Sequence, residues 1–150
     1  MNGVTIRETP LTDEVLETLI AFSRDWAAEN SCHGYRANER GDIEGMRIFL
    51  AEEKGRAIGY LFGKPFSSEK ATSIMADGTP CFEVEELYVI PERRSRGVGK
   101  ALMDAAARAV KGEAEFIMLS TAARNWRAIL RFYIDEVGME FWSARLFKKL

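Results

Sequence analysis

The feature that most constrains this chain is residues 83–102, which have the pattern of a strand, a basic turn with glycines, and then a helix. Such a turn leaves backbone N–H groups at the helix start free to bind an anion. Gly97 and Gly99 remove side chains where a phosphate would have to come close. Four basic residues add positive charge around the turn: Arg93, Arg94, Arg96 and Lys100. The combination favours a pyrophosphate ligand, and a solvated basic turn is the simpler alternative.

The segment lacks the spacing of other phosphate loops. There is no G-x-x-x-x-G-K-[ST] motif and no G-x-G-x-x-G after a strand, so an NTPase or a dinucleotide enzyme is disfavoured. Two cysteines, Cys32 and Cys81, and the single His33 are too few for a zinc site. The formal net charge of -2 gives no general attraction to nucleic acid. We see no signal peptide or membrane span, and we expect a cytoplasmic protein.

Upstream of this segment, hydrophobic periodicity predicts a strand, a helix and a hairpin. Residues 4–8 alternate as a strand does, and Thr12 is the expected N-cap of a helix. The apolar face of that helix comprises Val15, Leu19, Phe22 and Trp26. Residues 30–45 are expected to form a loop with a short helix. Residues 46–52 and 57–63 then flank a turn in which Gly55 can take a positive φ. Residues 64–80 are expected to form a long surface loop.

Downstream, the pattern continues as strand 82–90, helix 97–110, strand 116–120, helix 125–137 and a strand-like run over 139–150. The predicted buried stripe of the second long helix is Val98, Leu102, Ala105 and Ala109. Asn125 and Gly138 are the expected caps of the last helix. With 150 residues, the chain fits one mixed α/β domain over residues 1–150.

The strand over residues 82–90 carries a parity change. The apolar residues Phe82 and Val84 occupy even-numbered positions, whereas the apolar residues Leu87 and Val89 occupy odd-numbered ones. One inserted residue would produce such a switch, so the pattern predicts a β-bulge whose extra residue is Glu85 or Glu86. The alternative is that glutamates of this strand simply face solvent.

Two landmarks resemble the GNAT superfamily of N-acetyltransferases. The run Arg94-Ser95-Arg96-Gly97-Val98-Gly99 matches that family's R/Q-x-x-G-x-G/A signature, and the strand before it and helix start after it are also similar. A second landmark is formed by Asn125, Ala128, Phe132, Tyr133 and Gly138. The resemblance is strong over 83–103, good over 125–138 and topological before 46. It implies a GNAT-like fold, in which a central mixed twisted sheet is flanked by helices and splayed at a bulge that admits the pantetheine arm.

The resemblance further implies an enzyme that moves an acetyl group directly from acetyl-CoA to a primary amine, either a small cationic amine or a protein amine. An amine must lose a proton before it attacks, and Glu85 is the first candidate for the base, with Glu83 the second. Both glutamates could instead anchor the amine. Tyr133 is the candidate acid for the departing thiolate, and the alternative is that it only packs. The residues assigned to acetyl-CoA binding are Leu87, Tyr88, Val89, Arg94, Ser95, Arg96, Gly97, Val98, Gly99, Lys100, Ala101 and Asn125.

A second hypothesis is a GNAT-fold module that binds an acyl-CoA as a regulatory ligand without turnover. In either case we expect no metal, no nucleic-acid partner and no membrane partner. Phe141, Trp142 and Phe147 give residues 139–150 more aromatic surface than a free edge strand should show. We therefore expect a homodimer that uses this region.

Overall fold

A computed structural model describes residues 3–150 of the chain. Five strands form one sheet in the order β1-β2-β3-β4-β5. The strands are β1 Val4–Thr9, β2 Arg47–Glu53, β3 Arg56–Ser67, β4 Pro80–Val89 and β5 Phe116–Met118. The α-helices are α1 Asp13–Glu29, α2 Arg40–Ile43, α3 Val98–Val110 and α4 Trp126–Arg131. The first four strands pair antiparallel and β5 is parallel to β4, so the predicted mixed sheet is confirmed.

Helix α1 begins as predicted. The Thr12 side chain accepts a hydrogen bond from the Val15 N–H at 3.2 Å, which satisfies one of the free donors of the first turn. The helix ends at Asn30, whose φ of 52° is left-handed. Its apolar face lies on the sheet, where Phe22 packs on Tyr60 and Tyr88 with ring centroids 6.3 and 5.7 Å apart.

The β2–β3 hairpin turns through Lys54 and Gly55, which both have positive φ, as a tight two-residue turn requires. Strand β3 extends to Ser67, further than the sequence predicts, because residues 64–67 pair with the start of β4. The predicted loop over 64–80 is therefore wrong at both ends. Its first residues belong to β3, and Pro80 belongs to β4.

The predicted bulge in β4 is present. Phe62 pairs with Glu86 and the next residue, Gly63, pairs with Val84, so Glu85 has no partner in β3. A side chain on Gly63 would overlap the Glu83 carbonyl, which explains why a glycine faces the bulge. Strand β4 pairs with β5 only over Cys81–Glu83, and beyond that point the two strands separate.

Helices α1 and α3 cover opposite faces of the sheet. Tyr88 packs on the rings of α1, whereas its neighbour Leu87 approaches Gly99 of α3, and consecutive strand residues point to opposite faces. The predicted stripe of α3 is correct for Val98 and Leu102. It is wrong in its second half, where Ala105 and Ala109 are only partly buried. The buried residues there are Met103, Ala106 and Val110, because the buried stripe continues from Val98 and Leu102 at a spacing of four residues, with Met103 beside it.

The last forty residues differ from the prediction. The helix predicted over 125–137 is a short α4 followed by a π-helical turn, Phe132–Glu136, and Gly138 ends it with the expected positive φ. Asn125 precedes α4 but its side chain makes no capping hydrogen bond, since its φ of -87° and ψ of 54° are not those of an extended cap.

The strand predicted over 139–150 is absent from the structure, and β5 is two residues shorter than the predicted strand 116–120. A strand needs a neighbour to satisfy its backbone groups, and residues 140–150 lie exposed beside no partner strand in the described chain. Among residues 3–150 there is also no helix with the length and hydropathy needed to span a bilayer.

Candidate active site

The turn before α3 has the backbone of an anion site. Gly97 is the N-cap with a φ of 84°, and Ser95 two residues earlier has a φ of 61°. The N–H groups of Val98, Gly99 and Lys100 are in the first helical turn and have no partner within the helix. Ala101 was predicted to contribute as well, but its N–H already donates to the Gly97 carbonyl at 3.0 Å. The donors available at this helix start therefore end at Lys100.

Two basic residues of the turn, Arg94 and Arg96, differ in whether the protein supplies them with an acidic partner. Arg94 is fixed by the protein itself, because its guanidinium donates to both Glu29 oxygens at 2.7 and 2.8 Å and to the Val89 carbonyl at 2.8 Å. It also lies over the Tyr88 ring at 5.3 Å. In contrast, Arg96 forms no ion pair within residues 3–150. The signature arginine thus ties the turn to the end of α1, and Arg96 is the cation left for a ligand.

Gly99 has a packing role that the sequence did not indicate. A Cβ at this position would lie 3.1 Å from the Phe132 ring and 3.9 Å from Leu87. The π-helical turn therefore packs directly on the start of α3. This contact also brings the next residue, Tyr133, to the same end of the sheet.

Tyr133 is packed against the core through its ring, which lies 5.0 Å from that of Phe132. Burial, with a smaller contribution from Cys32, raises the pKa of Tyr133 to about 12. At neutral pH the phenol is therefore protonated and can act as a donor. Its hydroxyl makes no hydrogen bond within the described residues, yet it is not sealed from solvent, because no buried side-chain oxygen there lacks a partner.

The two glutamates predicted as bases differ in environment. Glu85, the bulged residue, is exposed and lies 3.6 Å from the Lys64 ammonium. Glu83 is partly buried, and burial together with the nearby Glu85 raises the pKa of its carboxyl. The structure therefore brings both residues to the bulge and gives them different surroundings.

A third glutamate, Glu86, has the most elaborate surroundings, and the sequence offered it only as an alternative bulge residue. Its Oε1 accepts hydrogen bonds from Tyr35 at 3.1 Å, Asn38 at 2.8 Å and Tyr60 at 2.7 Å. Burial raises the pKa of Glu86, and the three hydrogen bonds oppose that rise. The partners are 51, 48 and 26 residues away, so no local pattern could have found the cluster.

Glu86 opens on a cavity of about 360 Å³ between α2 and the bulge. The lining residues are Asn38, Gly41, Asp42, Met46, Phe62, Lys64, Glu85 and Glu86. Acidic groups outnumber the single lysine, and two side chains are apolar. Such a cavity suits a small cation with an apolar body.

The remaining predicted residues lie around these groups. Leu87, Tyr88 and Val89 pair with β3 on one side and have no strand on the other, because β5 has ended. Asn125 is exposed at the start of α4. Within residues 3–150 no three His, Cys, Asp or Glu side chains form a group that could hold a metal.

Comparisons with known proteins agree with this geometry. Residues 13–139 match the model of the acetyltransferase (GNAT) family. No curated protein matches the sequence. An aminoglycoside acetyltransferase, meta-AAC0020, from an uncultured soil metagenomic sample superposes with a TM-score of 0.70 at 14% identity, over 99% of this chain and 97% of the other.

Two further solved structures have the same fold. Aminoglycoside N-acetyltransferase AAC(6')-Iy in complex with CoA gives a TM-score of 0.68 at 21% identity, over 97% of this chain and 98% of that one. A ribosomal-protein-alanine N-acetyltransferase from Brucella melitensis gives 0.69 at 17% identity, over 99% and 100%. The sheet is bulged and splayed, a glycine turn precedes α3, and the family model matches residues 13–139. These findings establish that this chain belongs to the GNAT family of acetyltransferases.

Proposed function

We propose that this chain is an acetyl-CoA-dependent N-acetyltransferase whose acceptor is a primary amine. The observation that carries the proposal is the bulge in β4. It displaces Glu85 and lies just beyond Glu83, where β4 and β5 separate. On one face of β4, Leu87 approaches the turn before α3, and the cavity beside Glu86 lies on the other face.

On the donor side, the pyrophosphate of acetyl-CoA would bind the N–H groups of Val98, Gly99 and Lys100, with the backbone from Ser95 to Gly97 shaping the turn. Arg96 would supply the free positive charge. The pantetheine arm would lie along the open edge of Leu87 to Val89, where amide-rich ligands can pair with backbone groups. A CoA complex of the structural neighbour AAC(6')-Iy supports a CoA donor.

On the acceptor side, an ammonium first gives one proton to a β4 carboxylate, for which Glu85, Glu83 and Glu86 are the candidates. The free amine attacks the thioester carbonyl, so a C–N bond forms and the C–S bond breaks. The nitrogen loses its second proton as the tetrahedral intermediate collapses. Tyr133 protonates the departing thiolate and is then reprotonated, so that one proton per turnover goes to solvent.

The structural neighbours support an amine acceptor, since two are aminoglycoside acetyltransferases and one is a ribosomal-protein-alanine N-acetyltransferase. The acidic side chains of the cavity favour the cationic, small-amine end of that range. Free thiols at Cys32 and Cys81 suit a reducing compartment, and we propose the cytoplasm.

The test is a panel of primary amines incubated with acetyl-CoA, in which free thiol and acetylated amine are both quantified. The proposal predicts the two products in equal amounts with at least one cationic amine. Tight acetyl-CoA binding without turnover of any amine would favour the regulatory module instead.

We also propose that the protein is a homodimer in which residues 139–150 of each copy lie against the other copy. Phe141, Trp142, Leu146 and Phe147 are all exposed there, and Phe147 contacts only the edge of His33 among aromatic rings of the described chain. β5 ends the sheet, so its free edge is available to a second copy. Light scattering at micromolar concentration would show twice the monomer mass, and a monomer would contradict the proposal.

A further inference from the structure

The hydrogen bonds to Glu86 are concentrated on one oxygen. Tyr35, Asn38 and Tyr60 all donate to Oε1, at 3.1, 2.8 and 2.7 Å. All three donors are uncharged, and they come from different parts of the fold: the loop after α1 and strand β3. A carboxylate can accept hydrogen bonds on both oxygens, and here all three are made to one of them. The arrangement therefore fixes the direction of the group and leaves its second oxygen without a protein partner.

The second oxygen, Oε2, is open to solvent. It makes no hydrogen bond within residues 3–150, and no solvent-sealed side-chain oxygen in that range lacks a partner. Glu86 lines the cavity of about 360 Å³ beside the bulge. The oxygen without a protein partner is thus the one left to bind a molecule that enters the cavity.

A second layer holds the loop donors in place. The Ser23 hydroxyl on α1 is fully buried, lies 2.8 Å from the Tyr35 hydroxyl and accepts the Asn38 N–H at 2.6 Å. The Tyr35 ring stacks on Trp26 with centroids 4.3 Å apart. Tyr35 and Asn38, two of the three donors, are therefore held in position by contacts with side chains of α1.

We propose that Tyr35, Asn38 and Tyr60 are positioning residues that hold Glu86 by one oxygen so that the other binds the ammonium group of the acceptor in the cavity. The inference rests on the proposed function and deepens it, because it selects Glu86 among the three glutamates of β4. One proton then passes from the ammonium nitrogen to Oε2, and the free amine goes on to attack the thioester.

The charges around Glu86 support an ammonium ligand. Asp42 of α2 is already neutralised by a bidentate bond from Arg36, at 3.0 and 3.2 Å. Glu85 has Lys64 at 3.6 Å. Glu86 is therefore the cavity carboxylate that lacks a cation within the described residues, and a cationic ligand would provide one.

The two tyrosine hydroxyl groups that donate to Glu86 stay protonated and add no second negative charge beside it. Burial raises the pKa values of Tyr35 and Tyr60 above the ordinary value for tyrosine, so both are neutral donors across the working range. Each bond they make to the ionised carboxylate holds the pKa of Glu86 down against the effect of burial. Removing one donor must therefore move this pKa upward.

The test follows the Glu86 carboxyl carbon by NMR in protein labelled at the glutamate side chains, with the signal assigned from Glu86→Gln. Tyr60→Phe keeps the buried ring and removes one donor. We expect the titration of Glu86 to move up by about one pH unit, and the acid limb of kcat/KM to move with it. Thr9→Val is the matched control, since it removes a buried hydroxyl that bonds only the Pro10 carbonyl. It should move neither quantity.

Binding of the amine is tested separately with n-butylamine, and n-butanol serves as its uncharged counterpart. The ammonium should shift the Glu86 signal in the wild type, and about tenfold more amine should be needed in Asn38→Leu. An equal response to butanol would overturn the ammonium site. Unchanged Glu86 titration in both Tyr60→Phe and Asn38→Leu would overturn the positioning role. If n-butylamine shifts Glu86 but no amine is ever acetylated, the proposed function fails and the amine site stands.

Discussion

Residues 4–110 and residues 111–150 are built in different ways. Every fully buried side chain of the described structure lies in the first region, and the last of them is Val110. The second region has partly buried residues such as Tyr133, and it exposes five large apolar side chains between Phe141 and Leu150. The first region therefore supplies most of the stability and the cavity proposed for the acceptor. The second region supplies the proposed acid and the surface proposed for contact with a second copy, and it contributes little to the stability of the fold.

One of the two largest effects should come from the second region and should appear in catalysis alone. Tyr133→Phe removes one hydroxyl that bonds no described residue, so folding and CoA binding should change little. The rate of transfer should fall by roughly 10²–10⁴, in kcat and not in KM, because the proton is needed only in the transition state. Steady-state kinetics with an accepted amine measures this. A near-normal kcat would mean that Tyr133 only packs and that water supplies the proton.

The next effect tests the first region at the turn before α3, on which Phe132 of the second region packs. Gly97→Val should weaken acetyl-CoA binding by about 100-fold, because a branched side chain stands where the pyrophosphate is to lie. Gly112→Val is a matched control, since both glycines have positive φ, 84° and 94°, and both substitutions strain the backbone. Calorimetry should find full affinity in the Gly112 variant. Equal losses in the two variants would show that strain, and not the ligand, explains the result.

The sequence predictions were more accurate for the first region, although the loop over 64–80 and half of the α3 stripe were wrong there. Strands β1 to β4 and helices α1 and α3 were predicted because burial imposes a period on their residues, and the parity change from Val84 to Leu87 located the bulge. The strand over 139–150 was wrong because alternation indicates a strand only where a neighbouring strand exists. The bonds to Glu86 could not be predicted, since Tyr35, Asn38 and Tyr60 meet it only in the folded chain.

In the first region, adding a side-chain atom where the packing leaves no room should lower the free energy of unfolding. A methyl group on Gly63 would meet the Glu83 carbonyl and the Phe82 ring, so Gly63→Ala should destabilise the fold by about 1–3 kcal/mol. Gly41→Ala, in helix α2, meets no atom within 4 Å and should be neutral or slightly stabilising. Chemical denaturation of the two variants gives the comparison. A stable Gly63→Ala protein would mean that the bulge can relax.

The smallest effect on stability should come from the exposed end of the second region. Phe147→Ser changes a side chain that is 86% exposed, so the free energy of unfolding of a monomer should stay within about 0.5 kcal/mol. The same change should lower the mass found by light scattering if this surface joins two copies. A large loss of stability at a concentration where the protein is monomeric would show that residues 139–150 pack on their own chain.

We propose that a cationic amine takes the acetyl group at the β4 bulge, with Glu86 as the carboxylate that it meets. To test this, kcat/KM is measured for one accepted amine in the wild type and in Glu86→Gln, Glu85→Gln and Glu83→Gln, with acetyl-CoA as donor. We expect a fall of roughly 10²–10⁴ for Glu86→Gln, with loss of the acid limb of the pH profile, and much smaller falls for the other two. A larger fall for Glu85→Gln or Glu83→Gln, with Glu86→Gln close to the wild type, would contradict it.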